Sequence, residues 1–143
     1  MEIVIFVGIQ ASGKTTFYHE RFANTHARVS LDVIRNRDRE QAQVRRHLAE
    51  REPFVVDNTN VTRSERAAYI APARAAGFRV VGYFFVTDPK KAFARNRRRP
   101  GKENIPAGGL FGTAKRLQPP ALDEGFDELH VVELVEPAGF KVT

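Results

Sequence analysis

The sequence predicts an α/β fold in which a parallel sheet is covered by helices on both faces. Apolar strand-like runs alternate along the chain with helix-like segments, the pattern of parallel strands joined by crossover helices. A glycine-rich stretch, GIQASGKTT at Gly8–Thr16, directly follows the first apolar run and precedes a helical segment. Ligand crevices of such sheets lie at the carboxyl ends of the strands, so the residues that follow each strand are the first candidates for a site.

The first half of the chain contains three predicted strands and two predicted helices. Apolar runs place the strands at about residues 2–7, 27–30 and 54–56. Helices are expected at about 14–22, after the glycine-rich stretch, and at 37–50, where apolar residues have helical spacing. The second helix should end before the proline that precedes the third strand, because the residue before a proline is biased away from helical angles.

The second half continues the same alternation. Thr62 is a predicted helix N-cap with Glu65 three residues later, the capping-box pattern, and the helix should end at Gly77. A strand follows at about 78–86. Asp88 and the proline after it then open the next helix, as N-cap and first-turn residue.

The last third of the chain is more irregular. Residues from about 100 to 109 combine Pro, Gly, Lys and Asn without periodicity, which predicts a mobile loop. A short helix at 110–117 and a final strand at 129–134 follow. With the end of the preceding helix, the loop forms a predicted arginine-rich lid at about 95–109. A chain of 143 residues has the size of one domain, so a single domain is expected over 1–143.

The charge of the chain is unevenly distributed. The formal net charge is +6 and the isoelectric point is about 10.1. Basic residues cluster at 90–102 without an acid until Glu103, whereas acidic residues cluster at 123–136. Such a basic run is either a solvated face or a surface that binds a polyanion. Because ATP itself needs positive charge around its phosphates, the polyanion-binding interpretation is favoured.

Composition also excludes several classes of protein. The chain contains no cysteine, which excludes a disulfide framework and a thiolate metal site and suits a cytoplasmic location. The N-terminal apolar run lacks the basic flank and cleavage site of a signal peptide. No segment has transmembrane length, so no association with a membrane is expected.

The stretch Gly8–Thr16 fits the GxxxxGK[ST] phosphate loop and predicts a nucleoside triphosphate site. Gly8 and Gly13, the two glycines of the motif, are expected to adopt backbone angles that a Cβ would resist, so that backbone N–H groups converge on phosphate oxygens. Lys14 supplies charge for the β and γ phosphates, and the Thr15 hydroxyl is placed to hold Mg²⁺. Thr16 is also expected to pack its helix. The predicted nucleotide-binding residues are Gly8, Ala11, Ser12, Gly13, Lys14, Thr15 and Thr16.

A carboxylate and an arginine follow the second predicted strand. Asp32 and Arg35 are three residues apart, a spacing that puts both on one face of a helix that begins there. Asp32 can then accept a proton from an attacking hydroxyl, and Arg35 can bind an anionic part of the acceptor. The structural alternative makes Asp32 a helix N-cap and Arg35 its exposed partner.

Polar residues also follow the third strand. Asp57 ends an apolar run and has the position of the Mg²⁺-linked acid on the strand beside the phosphate loop. The residues 58–60, Asn-Thr-Asn, either belong to the site or form a turn that Asn side chains favour on their own. Asp57 and Thr15 are therefore the predicted metal ligands.

Arginines precede the predicted loop. Arg95 and Arg99 lie at the end of the helix that follows the fourth strand. Arginines on a closing lid can neutralise charge on a transferring phosphoryl group and exclude water. We therefore predict that one or both act in catalysis.

Five motifs together resemble a known family. In order along the chain, GIQASGKTT, SLDVIR, VVDNTN, RNRRR and LQPPALDEGFDEL resemble the motifs of the kinase domain of polynucleotide 5′-hydroxyl kinases and their P-loop kinase relatives. The resemblance spans nearly the whole chain and implies the three-layer P-loop kinase fold, with ATP and Mg²⁺ as cofactors. It implies that Asp32 is the general base on the 5′ hydroxyl of RNA or DNA and that Arg35 holds the neighbouring phosphate. Arg95 or Arg99 would be the lid arginine over the ATP phosphates.

The sequence departs from that family in two respects. Ala11 stands where many members have glycine, which the loop tolerates if Ala11 keeps an ordinary φ. The fused phosphatase or ligase domain of many members is lacking, which suggests a separate repair or ligase protein as partner. Two alternatives stay open for the function, a P-loop kinase for a small-molecule hydroxyl and a nucleotide-dependent regulatory ATPase module.

Overall fold

The computed structural model describes residues 1–97, 107–135 and 139–143. In this part of the chain, no helix is both long enough and apolar enough to cross a bilayer. The strands are β1 (Glu2–Val7), β2 (Ala27–Val29), β3 (Phe54–Val56), β4 (Arg79–Phe85), β5 (Glu128–Leu134) and β6 (Phe140–Val142). The helices are α1 (Lys14–Arg21), α2 (Leu31–Ile34), α3 (Arg37–Glu50), α4 (Arg63–Ala75), α5 (Pro89–Arg97) and α6 (Ala107–Arg116).

The strands form one sheet with the order β2-β3-β1-β4-β5-β6. The first five strands are parallel, and β6 pairs antiparallel with β5. Val29, Val56 and Ile5 are in register across the first three strands of this order. The residues that follow these strands therefore meet at one edge of the sheet, as the sequence predicts for a candidate site.

Side chains of β1 alternate between two hydrophobic cores, one on each face of the sheet. Ile3, Ile5 and Val7 pack in the core that contains residues of α3 and α4. Val4 and Phe6 point to the opposite face, where they pack with residues of α1. All five side chains are fully buried, because a central parallel strand has helices on both sides. The predicted α/β fold with helices on both faces is confirmed.

Local signals placed most helix boundaries correctly. The N–H of Glu65 donates to Thr62 Oγ1 at 3.1 Å, so Thr62 is the N-cap of α4. The N–H of Lys90 donates to Asp88 Oδ1 at 2.9 Å, so Asp88 caps α5. Helix α3 has the predicted bounds. Each of these helices is marked by residues adjacent in sequence, which explains why the predictions were correct.

The region near the lid and the C-terminus differs from the predictions. Helix α6 begins at Ala107, so residues 107–109 of the predicted loop are helical. The rest of that loop, 100–106, lies outside the described residues. Strand β6 was not predicted, because a three-residue segment has no detectable periodicity and becomes a strand by pairing with β5.

A buried ion pair joins Arg66 of α4 to Glu124, which lies in the connection from α6 to β5. The side chain of Arg66 is 0 % exposed and that of Glu124 is 4 % exposed. Arg66 donates from Nε to Glu124 Oε1 at 2.8 Å and from Nη2 to Oε2 at 3.0 Å. Burial by itself raises the pKa of Glu124, but hydrogen bonds from Arg66 and from the Ala121 N–H outweigh it and the net pKa is lowered.

We expect Arg66→Met to lower the free energy of unfolding at pH 7 by about 3–5 kcal/mol, because the buried Glu124 carboxylate loses its two short hydrogen bonds from Arg66 and keeps only the exposed Arg63, 3.8 Å away, as an ion-pair partner among the described residues. A group with a lowered folded-state pKa contributes stability above its unfolded pKa and loses it as the pH falls through the folded value. The difference in the free energy of unfolding between Arg66→Met and the native chain should therefore become smaller as the pH falls from 7 to about 4. Urea unfolding at several pH values measures it.

The matched control is Arg63→Met on the same helix. The Arg63 side chain is 47 % exposed, contacts Asp123 Oδ1 at 3.1 Å and lies 3.8 Å from Glu124 Oε2, without the two short hydrogen bonds that Arg66 makes to that carboxylate. An exposed ion pair contributes at most about 1 kcal/mol, so this variant should unfold close to the native chain at every pH. An Arg66→Met variant that was no less stable than Arg63→Met would contradict the prediction.

Candidate nucleotide and acceptor site

The two glycines of the phosphate-loop motif, Gly8 and Gly13, are required for different reasons. Gly13 has φ +95° and is the N-cap of α1, so the predicted need for an unusual backbone angle holds there. Gly8 is not in the left-handed region, and the prediction of such an angle is wrong for it. A Cβ on Gly8 would lie 2.9 Å from Phe85 Cβ, so close packing excludes a side chain. The Gly8 N–H donates to the Thr59 carbonyl at 2.9 Å, which joins the loop to the residues after β3.

Ala11 adopts a left-handed backbone conformation with φ +60°. The condition under which the loop was expected to tolerate an alanine, an ordinary φ, is therefore not met. This conformation costs an alanine roughly 1–2 kcal/mol, because its Cβ lies too near the following carbonyl oxygen. The Ala11 carbonyl accepts a hydrogen bond from Arg95 Nε at 2.8 Å, which helps to hold the strained residue in place.

Lys14 is buried and its ammonium group is directed into the phosphate loop. Nζ donates to the Ile9 carbonyl at 2.7 Å and to the Gly8 carbonyl at 3.0 Å, and it lies 3.4 Å from Ser12 Oγ. The positive charge is thus held at the centre of the loop. A phosphate oxygen that exchanges with one of these oxygens reaches the ammonium without a large movement of the side chain.

Ser12 and Thr16 occupy different environments. Ser12 is 3 % exposed. Thr16 is exposed in the first turn of α1, so the prediction that it packs this helix is wrong. An exposed position at a helix N-terminus is where backbone N–H groups and a hydroxyl can meet an anion, and its assignment to nucleotide binding stays a prediction.

Thr15 and Asp57 lie together beside the loop. Thr15 Oγ1 donates to Asp57 Oδ2 at 3.0 Å, and Asp57 is buried. Arg28 of β2 donates from Nε to the same Oδ2 at 2.8 Å and from Nη2 to Thr15 Oγ1 at 3.2 Å. A hydroxyl and one carboxylate suit Mg²⁺, which takes one or two protein oxygens and completes its shell with phosphate and water. Arg28 was not predicted as a site residue, because an arginine on a short strand belongs to no recognisable motif.

Helix α2 differs from its prediction. It ends at Ile34, and Arg35 is its C-cap with φ +60°, so Asp32 and Arg35 do not share one helical face. The alternative is also wrong, because Ser30 and not Asp32 is the N-cap. Arg35 Nε instead donates to the Asp32 carbonyl at 3.3 Å, and both residues are exposed. Because the helix ends at Ile34, the i,i+3 geometry that would place both side chains on one face does not reach Arg35.

Asn58 links α2 to the strand that ends before Asp57. Asn58 Oδ1 accepts from the Leu31 N–H at 2.9 Å, and its Nδ2 donates to Glu40 Oε2 at 2.8 Å. The turn alternative for the Asn-Thr-Asn segment is thus wrong for Asn58, whose side chain bonds two other elements. Glu40 is fully buried and was missed, since one acid among the many charges of α3 carries no distinguishing pattern.

Helices α5 and α6 lie beside the phosphate loop. Arg95 donates to the Ala11 carbonyl and, from Nη2, to Thr87 Oγ1 at 2.7 Å. Gln10 Nε2 donates to Thr113 Oγ1 of α6 at 3.0 Å. Both helices therefore contact the phosphate loop directly. Arg99 lies outside the described residues, and catalytic roles for it and for Arg95 stay predictions.

A cavity of about 370 Å³ lies at the same edge of the sheet, next to α2. Amide, hydroxyl and charged side chains from several elements share its wall with two apolar residues. The lining residues are Leu31, Arg37, Gln41, Asn58, Thr59, Asn60, Glu65 and Ala68. A concave wall that combines apolar area with a few polar side chains is typical of a small-molecule site.

Strand β6 packs against the phosphate loop through the side chain of Phe140. A Cβ on Gly13 would lie 2.9 Å from Phe140 Cε1, so this ring packs directly against the glycine. The Phe140 ring also packs edge-on to Phe17 of α1, with centroids 5.1 Å apart. The C-terminal strand thus holds both the loop and the start of α1.

We expect Phe140→Ala to weaken binding of ATP by about five- to tenfold, because the binding conformation of the loop becomes less populated. Titration with a fluorescent ATP analogue measures the effect. Val142→Ala is the matched control on the same strand, since Val142 is 36 % exposed and is not in the wall of the loop. Equal affinities of the two variants would show that β6 does not support the loop.

Sequence comparison identifies the family. The profile of the family described as AAA domain matches residues 3–120, which is most of the chain and includes the phosphate loop, α2 and the residues after β3. The chain belongs to the AAA domain family. Its parallel sheet and its GxxxxGK[ST] loop are those of a P-loop domain.

Solved structures with the same fold support this description. Kti12 of Chaetomium thermophilum in complex with ADP-AlF3 has a TM-score of 0.69 and 14% identity, with 92% of this chain and 88% of that chain covered. A sugar kinase from Janibacter sp. HTCC2649 has a TM-score of 0.70 and 16% identity, covering 93% and 85%. The Mycobacterium tuberculosis APS kinase CysC with AMPPNP and APS has a TM-score of 0.54 and 16% identity, covering 91% and 87%. At these identities the likeness is one of fold.

Proposed function

We propose that this AAA domain is an ATP-dependent kinase that transfers the γ-phosphoryl group to the 5′ hydroxyl of a nucleic acid. The observation that carries the proposal is the hydrogen-bonded link from Asp57, through its neighbour Asn58, to the first turn of α2. The link joins the phosphate side of the site, with Lys14 and Thr15, to an acceptor side with an exposed carboxylate at Asp32.

The proposed chemistry is a direct displacement. The acceptor oxygen attacks the γ-phosphorus, a new P–O bond forms, and the bond to the bridging oxygen of the leaving ADP breaks. Asp32 accepts the proton of the attacking hydroxyl. Lys14 binds the phosphate oxygens on which negative charge develops. Mg²⁺ held by Thr15 and Asp57 supplies further positive charge at the β and γ phosphates when it is bound.

The surroundings of Asp32 favour a large, anionic acceptor. Asp32 is exposed and does not line the neighbouring cavity, so the acceptor itself must exclude water from the reacting atoms. Arg35, whose Nε donates to the Asp32 carbonyl, and Arg39 are exposed and close to Asp32 in sequence, and they add positive charge to this part of the chain. A nucleic acid end has both the bulk and the adjacent phosphates that this arrangement needs.

A specific observation favours a second candidate, a small hydroxylated acceptor. The cavity of about 370 Å³ beside α2 has the size of a small-molecule site, and its wall combines polar side chains with apolar area. Two structural neighbours are described as a sugar kinase and as an APS kinase, whose acceptors are small molecules. In this second reading the same phosphate side serves a metabolite.

One assay separates the two acceptors. Transfer of labelled γ-phosphate from ATP is measured with 5′-hydroxyl RNA and DNA oligonucleotides and with a panel of sugars and nucleosides, at about 50 and 200 mM salt. The proposal predicts transfer to an oligonucleotide, with an apparent affinity that falls by about tenfold or more at the higher salt. Transfer only to small molecules, with little salt dependence, would select the second candidate. Turnover that no acceptor changes would indicate a regulatory ATPase module and refute both.

A further inference from the structure

We propose that Glu40 is a positioning residue for the acceptor side of the site: through the Asn58 side chain it fixes the first turn of α2 and therefore the place of Asp32. The role as stated rests on the proposed phosphoryl transfer, since it is Asp32 that takes the proton there. Glu40 itself lies on α3.

The carboxylate of Glu40 is fully buried, and hydrogen-bond donors from four residues surround it. Its side chain is 0 % exposed. Tyr69 Oη donates to Oε1 at 2.8 Å and lies 2.9 Å from Oε2, and Asn58 Nδ2 donates to Oε2 at 2.8 Å. Gln41 Nε2 and Arg37 Nη1 lie 2.9 and 3.3 Å from Oε1. These donors compensate the cost of burying the charge.

The carboxylate decides which way the Asn58 amide faces. An ionised carboxyl group accepts hydrogen bonds and cannot donate, so the Asn58 group directed at it must be the NH₂. The other end of the amide, Oδ1, then faces the Leu31 N–H and accepts from it at 2.9 Å. A neutral partner at position 40 would permit either orientation.

Tyr69 strengthens the same arrangement. Burial, followed by the hydrogen bond to Glu40, raises the pKa of the Tyr69 hydroxyl, so it stays protonated and donates to Glu40. Its oxygen accepts from Arg37 Nη1 at 3.1 Å and lies 3.3 Å from Asn58 Nδ2. Both oxygens of the Glu40 carboxylate therefore accept hydrogen bonds from described residues.

The bond from Leu31 to Asn58 matters because α2 has little else to hold its start. Helix α2 has four residues, and its N-cap, Ser30, makes no side-chain capping bond. The Ser30 hydroxyl is buried and has no hydrogen-bond partner among the described residues. Asn58 therefore caps α2 from outside, and Asp32, the residue after Leu31, depends on that cap.

The test exchanges the carboxylate and the amide. Asn58→Asp gives two carboxylates, which cannot donate to each other. Glu40→Gln gives two amides, which can pair in either orientation, so the Asn58 Oδ1 is no longer fixed toward the Leu31 N–H. In the double variant the new amide on α3 can donate to the new carboxylate after β3, whose second oxygen can still accept from the Leu31 N–H. Amide exchange at Leu31 followed by NMR and the kcat and KM of phosphoryl transfer are measured for all four proteins.

We expect each single variant to lower protection of the Leu31 amide and kcat by about tenfold or more, with KM for ATP nearly unchanged. The double variant should recover both to within about threefold of the native chain. Unchanged Leu31 protection in Glu40→Gln, or losses in the double variant that equal the product of the single losses, would overturn the inference. If the native protein phosphorylates no acceptor, the proposed function fails while Leu31 protection still decides the link from Glu40 to α2.

A matched control separates positioning from lost stability. Val44 lies one turn after Glu40 on α3 and is buried in the core, away from the network. Val44→Ala should lower the melting temperature but leave Leu31 protection, relative to global unfolding, unchanged. Should Glu40→Gln fail to fold, Tyr69→Phe removes one donor and keeps the carboxylate. It should lower Leu31 protection by about threefold, and no change in Tyr69→Phe would count against the inference.

Discussion

Lys14→Met is expected to lower the rate of phosphoryl transfer by about 100- to 1,000-fold, because a positioned charge at developing negative charge contributes that much in an enclosed site. The ammonium group is buried and within 3.0 Å of the Gly8 and Ile9 carbonyls. Methionine keeps the length of the side chain and removes the charge. Leaving two buried carbonyls without their donor should also cost about 1–3 kcal/mol of stability.

Single-turnover transfer and the affinity for ATP, measured beside thermal unfolding, separate the two effects. Lys141→Met is the control, since Lys141 is an exposed lysine of β6 that points away from the face of Phe140. It should leave transfer and stability close to native. A Lys14→Met protein that is folded and retains transfer within about tenfold would show that the loop does not bind phosphate through this ammonium.

Asp32→Asn is expected to lower kcat by about 100- to 10,000-fold, the range for removal of a general base. Asp32 is exposed at α2, and asparagine has the same shape but cannot take up the proton. The free energy of unfolding should stay within about 0.5 kcal/mol of native, as for most exposed positions. ATP affinity should also stay near native, because the phosphate side of the site is unaltered.

Asp38→Asn serves as its control, an exposed carboxylate in the first turn of α3. It changes the net charge equally and should leave kcat near native. Equal kcat values for the Asp32 and Asp38 variants would remove the proposed base and with it the assignment of the acceptor side. Loss of ATP binding in Asp32→Asn would instead show that the residue belongs to the nucleotide site.

Much of the fold was predictable because its signals are local. The caps at Thr62 and Asp88 lie within one turn of the helices they start, and the apolar run of β1 is continuous because both its faces are buried. Strand β6 and the extent of α2 were not predictable. Short segments take their conformation from the neighbours they pair with or from a cap supplied by a distant residue such as Asn58.

The candidate site divides in the same way. The phosphate loop was predictable because Gly8, Gly13, Lys14 and Thr15 lie within eight consecutive positions and each has its own chemical role there. Arg28 and Glu40 were missed because nothing near them in sequence distinguishes a charge that contacts the site from one that faces water. The left-handed φ of Ala11 was missed for a related reason, since its partner Arg95 is 84 positions away along the chain.

The amino-acid order by itself therefore determined the α/β class, most element boundaries and the phosphate loop, which depend on residues close together in the chain. Tertiary structure alone decided which charges are buried, which side chain caps α2 and which residues line the acceptor side. A charge is stable in the interior only if donors or acceptors from other elements surround it, and folding is what brings those elements together.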